Sequence, residues 1–136
     1  MQPENLTPRL LLVEDNDIDV ELVRRIATRY AINIPIVRAC NGVEALEILQ
    51  SPDESGLVYP YIILLDINMP MMGGFELLEH LAIHGPEIDV PIYILTTSDS
   101  LLDRNKLAEY KIAGYLVKPL TKSAFSHIID SYNNAA

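Results

Sequence analysis

Tyr61-Ile62-Ile63-Leu64-Leu65-Asp66 is the stretch that decides the fold. Five apolar residues run together without polar alternation, and an acid follows. A β-strand reads this way when both of its faces are covered by other layers. Four more short apolar runs accompany it, at residues 10–13, 34–39, 91–95 and 115–117. Between them, apolar residues recur at helical spacing. Ile18, Leu22, Ile26 and Tyr30 step by four, with Val23 and Ala27 beside them, which predicts a helix with one stripe on a core and a cap at Asn16 or Asp17. Val43, Leu46 and Leu49 mark a second helix ended by Ser51-Pro52, and Phe75, Leu78 and Ala82 a third closed by Gly85-Pro86. Leu101, Asn105 and Ala108 give a weaker fourth. Phe125, Ile129 and Tyr132, with Ile128 alongside, give a fifth, capped at Thr121 or Ser123. Strands alternating with helices imply parallel pairing and right-handed crossovers. The expected architecture is a doubly wound α/β domain, a five-stranded parallel sheet with helices on both faces.

Composition bounds the rest. The chain has 136 residues, 49% of them hydrophobic and 21% charged. A chain of this length buries roughly two-thirds of its surface, so no metal or disulfide is needed to hold it together. Nineteen acidic residues against ten basic ones give a net charge of -9, which repels a phosphate backbone and argues against nucleic acid as a partner. The single cysteine, Cys40, excludes an internal disulfide and fits a reducing compartment; ending an apolar run, it is expected to be a buried, inert thiol. Residues 1–8 lack the pattern of a signal peptide, and no run of 18 apolar residues spans a membrane. The expectation is a cytoplasmic protein with a short tail over residues 1–8, one domain over residues 9–133 and no output domain after it.

A doubly wound sheet places its site beyond the carboxyl ends of its strands. There stand Glu14 and Asp15 after the first run, Asp66 after the third, Thr96 and Thr97 after the fourth, and Lys118-Pro119 after the fifth. Each acid taken singly could be a solvated residue or a helix cap. Three carboxylates at one edge are another matter, because two unit charges ~4 Å apart repel by about 4 kcal/mol at an effective dielectric near 20. Such a cluster survives by raising a pKa or by holding a cation, and oxygen ligands without His or Cys favour Mg²⁺. A carboxylate such as Asp66 can attack phosphorus and form an acyl phosphate, given a cation and donors for the phosphoryl oxygens. Thr96 supplies a hydroxyl and Lys118 a compact positive charge.

These residues resemble a known family. Leu10-Leu11-Leu12-Val13-Glu14-Asp15-Asn16, Leu64-Leu65-Asp66-Ile67-Asn68-Met69-Pro70, Ile94-Leu95-Thr96-Thr97 and Gly114-Tyr115-Leu116-Val117-Lys118-Pro119 are together similar to the receiver domain of two-component response regulators. The resemblance covers nearly the whole chain. It implies a flavodoxin-like sheet of order 2-1-3-4-5 and a phosphoryl group accepted on Asp66 from a histidine kinase or phosphotransfer protein with Mg²⁺ bound. By position it makes Asp15 a direct metal ligand, Glu14 a ligand through metal-bound water and Asn68 a ligand through its backbone carbonyl. Thr96 and Lys118 would bind phosphoryl oxygens, Lys118-Pro119 would be a cis peptide, and Tyr115 would turn inward as Thr96 moves. The face of the fourth helix, fifth strand and fifth helix would then switch its binding to a downstream protein, and is also a candidate surface for homodimers. Asn68 and Ser98 would flank the route of an attacking water, so slow self-dephosphorylation is expected rather than turnover of a substrate.

The chain departs from the pattern in two places. Gly73 stands where a polar residue is usual and weakens the cap of the third helix. Thr97 stands where a smaller residue is common, and either narrows the phosphoryl pocket or adds a donor. The long loop at residues 51–59 is similar to that of stand-alone regulators associated with phytochrome-like kinases. Competing readings fit less well. An aspartyl-nucleophile phosphatase would carry a second aspartate where Asn68 stands, and a flavin-phosphate binder would not place Glu14-Asp15-Asn16-Asp17 in its phosphate loop. An interaction module that has lost phosphotransfer would not need the full set. His80, His84 and His127 read as solvated residues and Met69, Met71 and Met72 as loop packing. Gly73-Gly74 lacks the spacing and the lysine of a phosphate cradle.

Overall fold

The structure is a computed structural model that describes residues 8–51, 61–67, 74–84, 90–96, 105, 107, 108 and 110–134. Its central strand is β3 (Tyr61–Asp66), buried along its whole length. β1 (Arg9–Val13) and β4 (Ile92–Thr96) flank it, with β2 (Ile36–Ala39) beyond β1 and β5 (Gly114–Val117) beyond β4. All four pairings are parallel, so the sheet has the expected order β2-β1-β3-β4-β5. Register aligns the strand ends. Val13 lies opposite Leu65, so Glu14 and Asp66 leave their strands side by side. Asp66 lies opposite Leu95 and Thr96 opposite Val117, so Thr96 and Lys118 follow at the same edge.

Successive side chains of a strand point to opposite faces, so a run of apolar residues serves two cores at once. Leu11, Val13, Ile63, Leu65 and Ile94 pack with Ala45 and Leu49 of α2 (Gly42–Gln50) and with Leu77 and Leu78 of α3 (Gly74–His84). Leu10, Leu12, Ile62, Leu64, Tyr93 and Leu95 pack on the other face. There they meet Val20, Val23 and Ala27 of α1 (Asp17–Arg29) and Phe125 and Ile128 of the C-terminal helix (Lys122–Asn134).

The helix starts are chemically specified. Asn16 caps α1, its side-chain oxygen accepting from the N–H groups of Ile18 at 2.9 Å and Asp19 at 3.1 Å. Asn41 caps α2 by accepting from Glu44 N–H, and the Thr121 hydroxyl accepts from Ala124 N–H ahead of the C-terminal helix. The stripe of α1, however, is not the expected one. Ile18 is 71% exposed, and Leu22 and Tyr30 also face outward. A helix turns about 100° per residue, so a series stepping by four drifts roughly 40° at each step and cannot hold one face. The buried set is Val20, Val23 and Ala27, with Ile26 at its margin.

On α2 the expected series steps by three and drifts about 60° the other way at each step, which leaves Val43 outside while Ala45 and Leu49 are inside. Of the weak fourth helical stretch, Asn105 and Ala108 are exposed and Leu107 is the buried residue. The rest of that stretch lies outside the described residues, as do Gly85-Pro86 and the loop at residues 52–59.

Ile18→Ala is therefore expected to change stability by no more than ~0.5 kcal/mol, and Ile128→Ala to cost about 2–5 kcal/mol. Urea unfolding of the two variants separates these outcomes, and equal losses would overturn the assignment of faces.

Candidate functional site

Glu14 leaves β1 fully buried, its N–H donating to the Ala39 carbonyl at 3.0 Å across the β1–β2 pair. Its Oε1 accepts from Asn16 N–H at 3.2 Å. The enclosed Oε2 has no aligned hydrogen bond, and its compensation is the Lys118 ammonium 2.7 Å away. Asp66, at the end of β3, is likewise buried. Lys118 follows β5, and its N–H donates to the Thr96 carbonyl at 2.7 Å. Its Nζ lies 3.3 Å from Asp66 Oδ2 and 2.8 Å from Asp19 Oδ2. The Lys118–Pro119 peptide is cis, as the resemblance implied. Glu14, Asp15 and Asp66 each present a carboxylate oxygen, all within 4.8 Å of one another.

Thr96 is buried at the end of β4. Tyr115 lies opposite Ile94, two residues before Thr96, so Tyr115 and Thr96 share one face of the sheet, and Tyr115 packs into the core there. The structure thus brings Glu14, Asp15, Asp66, Thr96 and Lys118 to one edge. Asn68, Gly73, Thr97, Ser98 and the methionines at 69, 71 and 72 lie outside the described residues.

The electrostatics follow from crowding and burial. Burial pushes the Glu14 carboxyl up, Lys118 opposes this, and the hydrogen bond and charge of Asp66 push the same way as burial; the result is about 7. Burial also works against the Lys118 ammonium, but the hydrogen bond to Asp19, the close ion pair with Glu14 and the charge of Asp66 outweigh it and hold its pKa above the ordinary lysine value. One ammonium thus serves three carboxylates, with Asp15 adding a fourth acid to the edge. The all-oxygen donor set, its spacing and the enclosed Glu14 Oε2 fit a hard divalent cation such as Mg²⁺.

Two participants escaped the sequence reading. Asp19, in the first turn of α1, reaches Lys118 across 99 positions of sequence, and nothing in the local pattern marks it. Arg38 of β2 donates through Nε to the Glu14 carbonyl at 3.0 Å, through Nη2 to the Asp15 carbonyl at 3.1 Å and through Nη1 to Asp17 Oδ1 at 2.5 Å. Cys40 corrects an expectation: it is exposed, because β2 ends at the buried Ala39 and Cys40 sits in the turn ahead of α2. His127 is exposed as expected, whereas His80 is half-buried on α3.

The response regulator receiver domain family matches residues 10–130. The chain belongs to this family. A two-component response regulator from Legionella pneumophila superposes with a TM-score of 0.82 at 28% identity, covering 94% of this chain and 99% of that one. The bacteriophytochrome response regulator AtBRR superposes with a TM-score of 0.74 at 30% identity, covering 96% and 94%. In sequence, the chain is 31% identical to a probable methanogenesis regulatory protein, FilR2, of Methanothrix harundinacea, over 82% of this chain and 72% of that protein. It spans 97% of the response regulator DivK of Brucella ovis at 25% identity, but only 44% of the regulator ycf27 of Porphyra purpurea. As a receiver domain, the chain is of the phosphoacceptor type used in two-component signalling.

Between pH 4.5 and about 7 the folded state keeps a proton on Glu14 that the unfolded chain has lost. This contribution to stability therefore falls as pH rises through that window. In metal-free buffer the wild type is expected to lose on the order of 3 kcal/mol relative to Glu14→Gln between pH 4.5 and 8. Urea unfolding at both pH values checks this, and parallel stabilities would refute it.

Proposed function

We propose that this protein accepts a phosphoryl group on Asp66 from a histidine kinase or phosphotransfer protein and switches a protein-binding surface in response. The observation that carries the reading is the convergence of Glu14, Asp15 and Asp66 beside the Lys118 ammonium at the carboxyl edge of the sheet. Glu14, Asp15 and Asp66, with the Asn68 carbonyl, would hold Mg²⁺, which when bound supplies positive charge to the incoming phosphoryl oxygens.

An Asp66 carboxylate oxygen attacks phosphorus, the P–N bond of the donor phosphohistidine breaks, and the bonding pair returns to the imidazole nitrogen. Register and burial hold Asp66 in place, so little ordering is left for the reaction itself. Lys118 moves from sharing among carboxylates to pairing with a phosphoryl oxygen, and the Thr96 hydroxyl donates to another. Shifting Thr96 toward Asp66 changes the packing on the sheet face it shares with Tyr115. This couples the new charge to β5 and to the surface formed with the neighbouring helices. That surface is the proposed contact for a downstream protein or a second copy of the chain.

The domain is assigned to residues 9–133, after a tail at 1–8. A cytoplasmic location and the absence of nucleic-acid binding belong to the same proposal. The net charge of -9 supports the latter, and among the described residues no helix is long and apolar enough to cross a membrane.

Acetyl phosphate and Mg²⁺ are expected to add one phosphoryl mass to the intact protein. EDTA or Asp66→Asn should abolish the gain, and a gain that persists in the variant would defeat the proposal. Thr96→Ala should still be labelled, while the change at Tyr115, followed by fluorine NMR of fluorotyrosine, becomes much smaller. An undiminished Tyr115 response in that variant would remove Thr96 from the coupling path.

A further inference from the structure

The β1–α1 turn carries two of the proposed metal ligands, and it is anchored from an unexpected direction. A strand has just ended and a helix has not begun, so the carbonyls of Glu14 and Asp15 lie between the two ladders and need donors from elsewhere. Arg38 supplies them. It lies on β2 opposite Leu12, and its planar fork reaches past the end of β1 to both carbonyls and to the Asp17 side chain. A guanidinium offers several donors at fixed angles, so this grip fixes the orientation of two consecutive peptides as well as their position.

The placement is electrostatically adverse. A positive charge beside a cation site weakens that site unless it is neutralised, and the Asp17 carboxylate on Nη1 neutralises it. What remains is geometric. Glu14 is also held by burial and by Lys118, but Asp15 is exposed and its carboxylate stands where its backbone puts it.

We propose that Arg38 is a positioning residue for the divalent-cation site, holding the Glu14 and Asp15 peptides so that both carboxylates meet Asp66 around one ion. This rests on the reading of that edge as a Mg²⁺ site. Two roles for Arg38 predict opposite signs. If Arg38 acted only as a charge, Arg38→Lys would bind Mg²⁺ like the wild type and Arg38→Met would bind it more tightly. If it positions the turn, both variants lose affinity, because lysine keeps the charge and loses the fork.

Calorimetric titration of the full chain with MgCl₂ at pH 8 decides between them, with urea unfolding in EDTA run in parallel. The expected result is about 10-fold weaker Mg²⁺ binding in both variants, the size of effect seen when a metal ligand loses its supporting partner. Should Arg38→Met fail to fold, Arg38→Lys decides the matter. Unchanged affinity in Arg38→Lys, or tighter binding in Arg38→Met, would overturn the proposal, as would a loss of stability with no change in affinity. A wild type that takes up no Mg²⁺ would instead defeat the reading of the edge as a metal site, and the role of Arg38 with it.

Discussion

The constraint on which this structure depends is the sharing of one ammonium among three carboxylates at the edge of a buried sheet. Lys118 reaches Glu14, Asp19 and Asp66, which come from β1, α1 and β3. Pairing in so enclosed a place contributes little net stability, since the desolvation of each charge opposes the attraction between them. What it fixes is geometry. With more negative than positive charge at the edge, the arrangement is incomplete by construction, and Glu14 responds by holding a proton near neutrality. The proposed joint binding of a metal ion and a phosphoryl group draws on such unmet charge demand, and a sheet edge framed by rigid strands keeps it from relaxing away.

Much of the fold was legible because its three inner strands are covered on both faces. A run such as Ile62-Ile63-Leu64-Leu65 has no alternation to misread, and the acid at its end marks the carboxyl end of the strand. Alternation of strands with helical stretches then left few topologies open. The placement of the candidate site was legible for the same reason: Asp66 and Thr96 end their strands, Glu14 and Lys118 follow directly on theirs, and parallel register brings strand ends together.

What was not legible depended on angle and distance. The buried stripe of α1 turns on helical phase: residues four apart drift around the axis, and Ile18, which the spacing puts on the core, faces outward. Cys40 is exposed although it ends an apolar run, because that run extends one residue past the last paired residue of β2. Asp19 and Arg38 lie on elements whose local pattern says nothing of their partners. Asp19 joins a lysine near the other end of the chain, and Arg38 uses donors that any surface arginine also has. Contacts of that kind are set by crossings between elements, and single-sequence periodicity does not encode them.

Register carries one last implication. In β3 the residues that fill the two cores alternate strictly, and the final residue of that alternation is the proposed phosphoryl acceptor. Inserting one amino acid between Tyr61 and Leu65 would exchange the side chains of the two layers and carry the acceptor out of alignment with β1 and β4 in the same stroke. Foldability and chemistry are locked to a single reading frame of the pleat. Drift in this segment is therefore confined to swaps among similar apolar side chains, and length variation is pushed into the connecting loops.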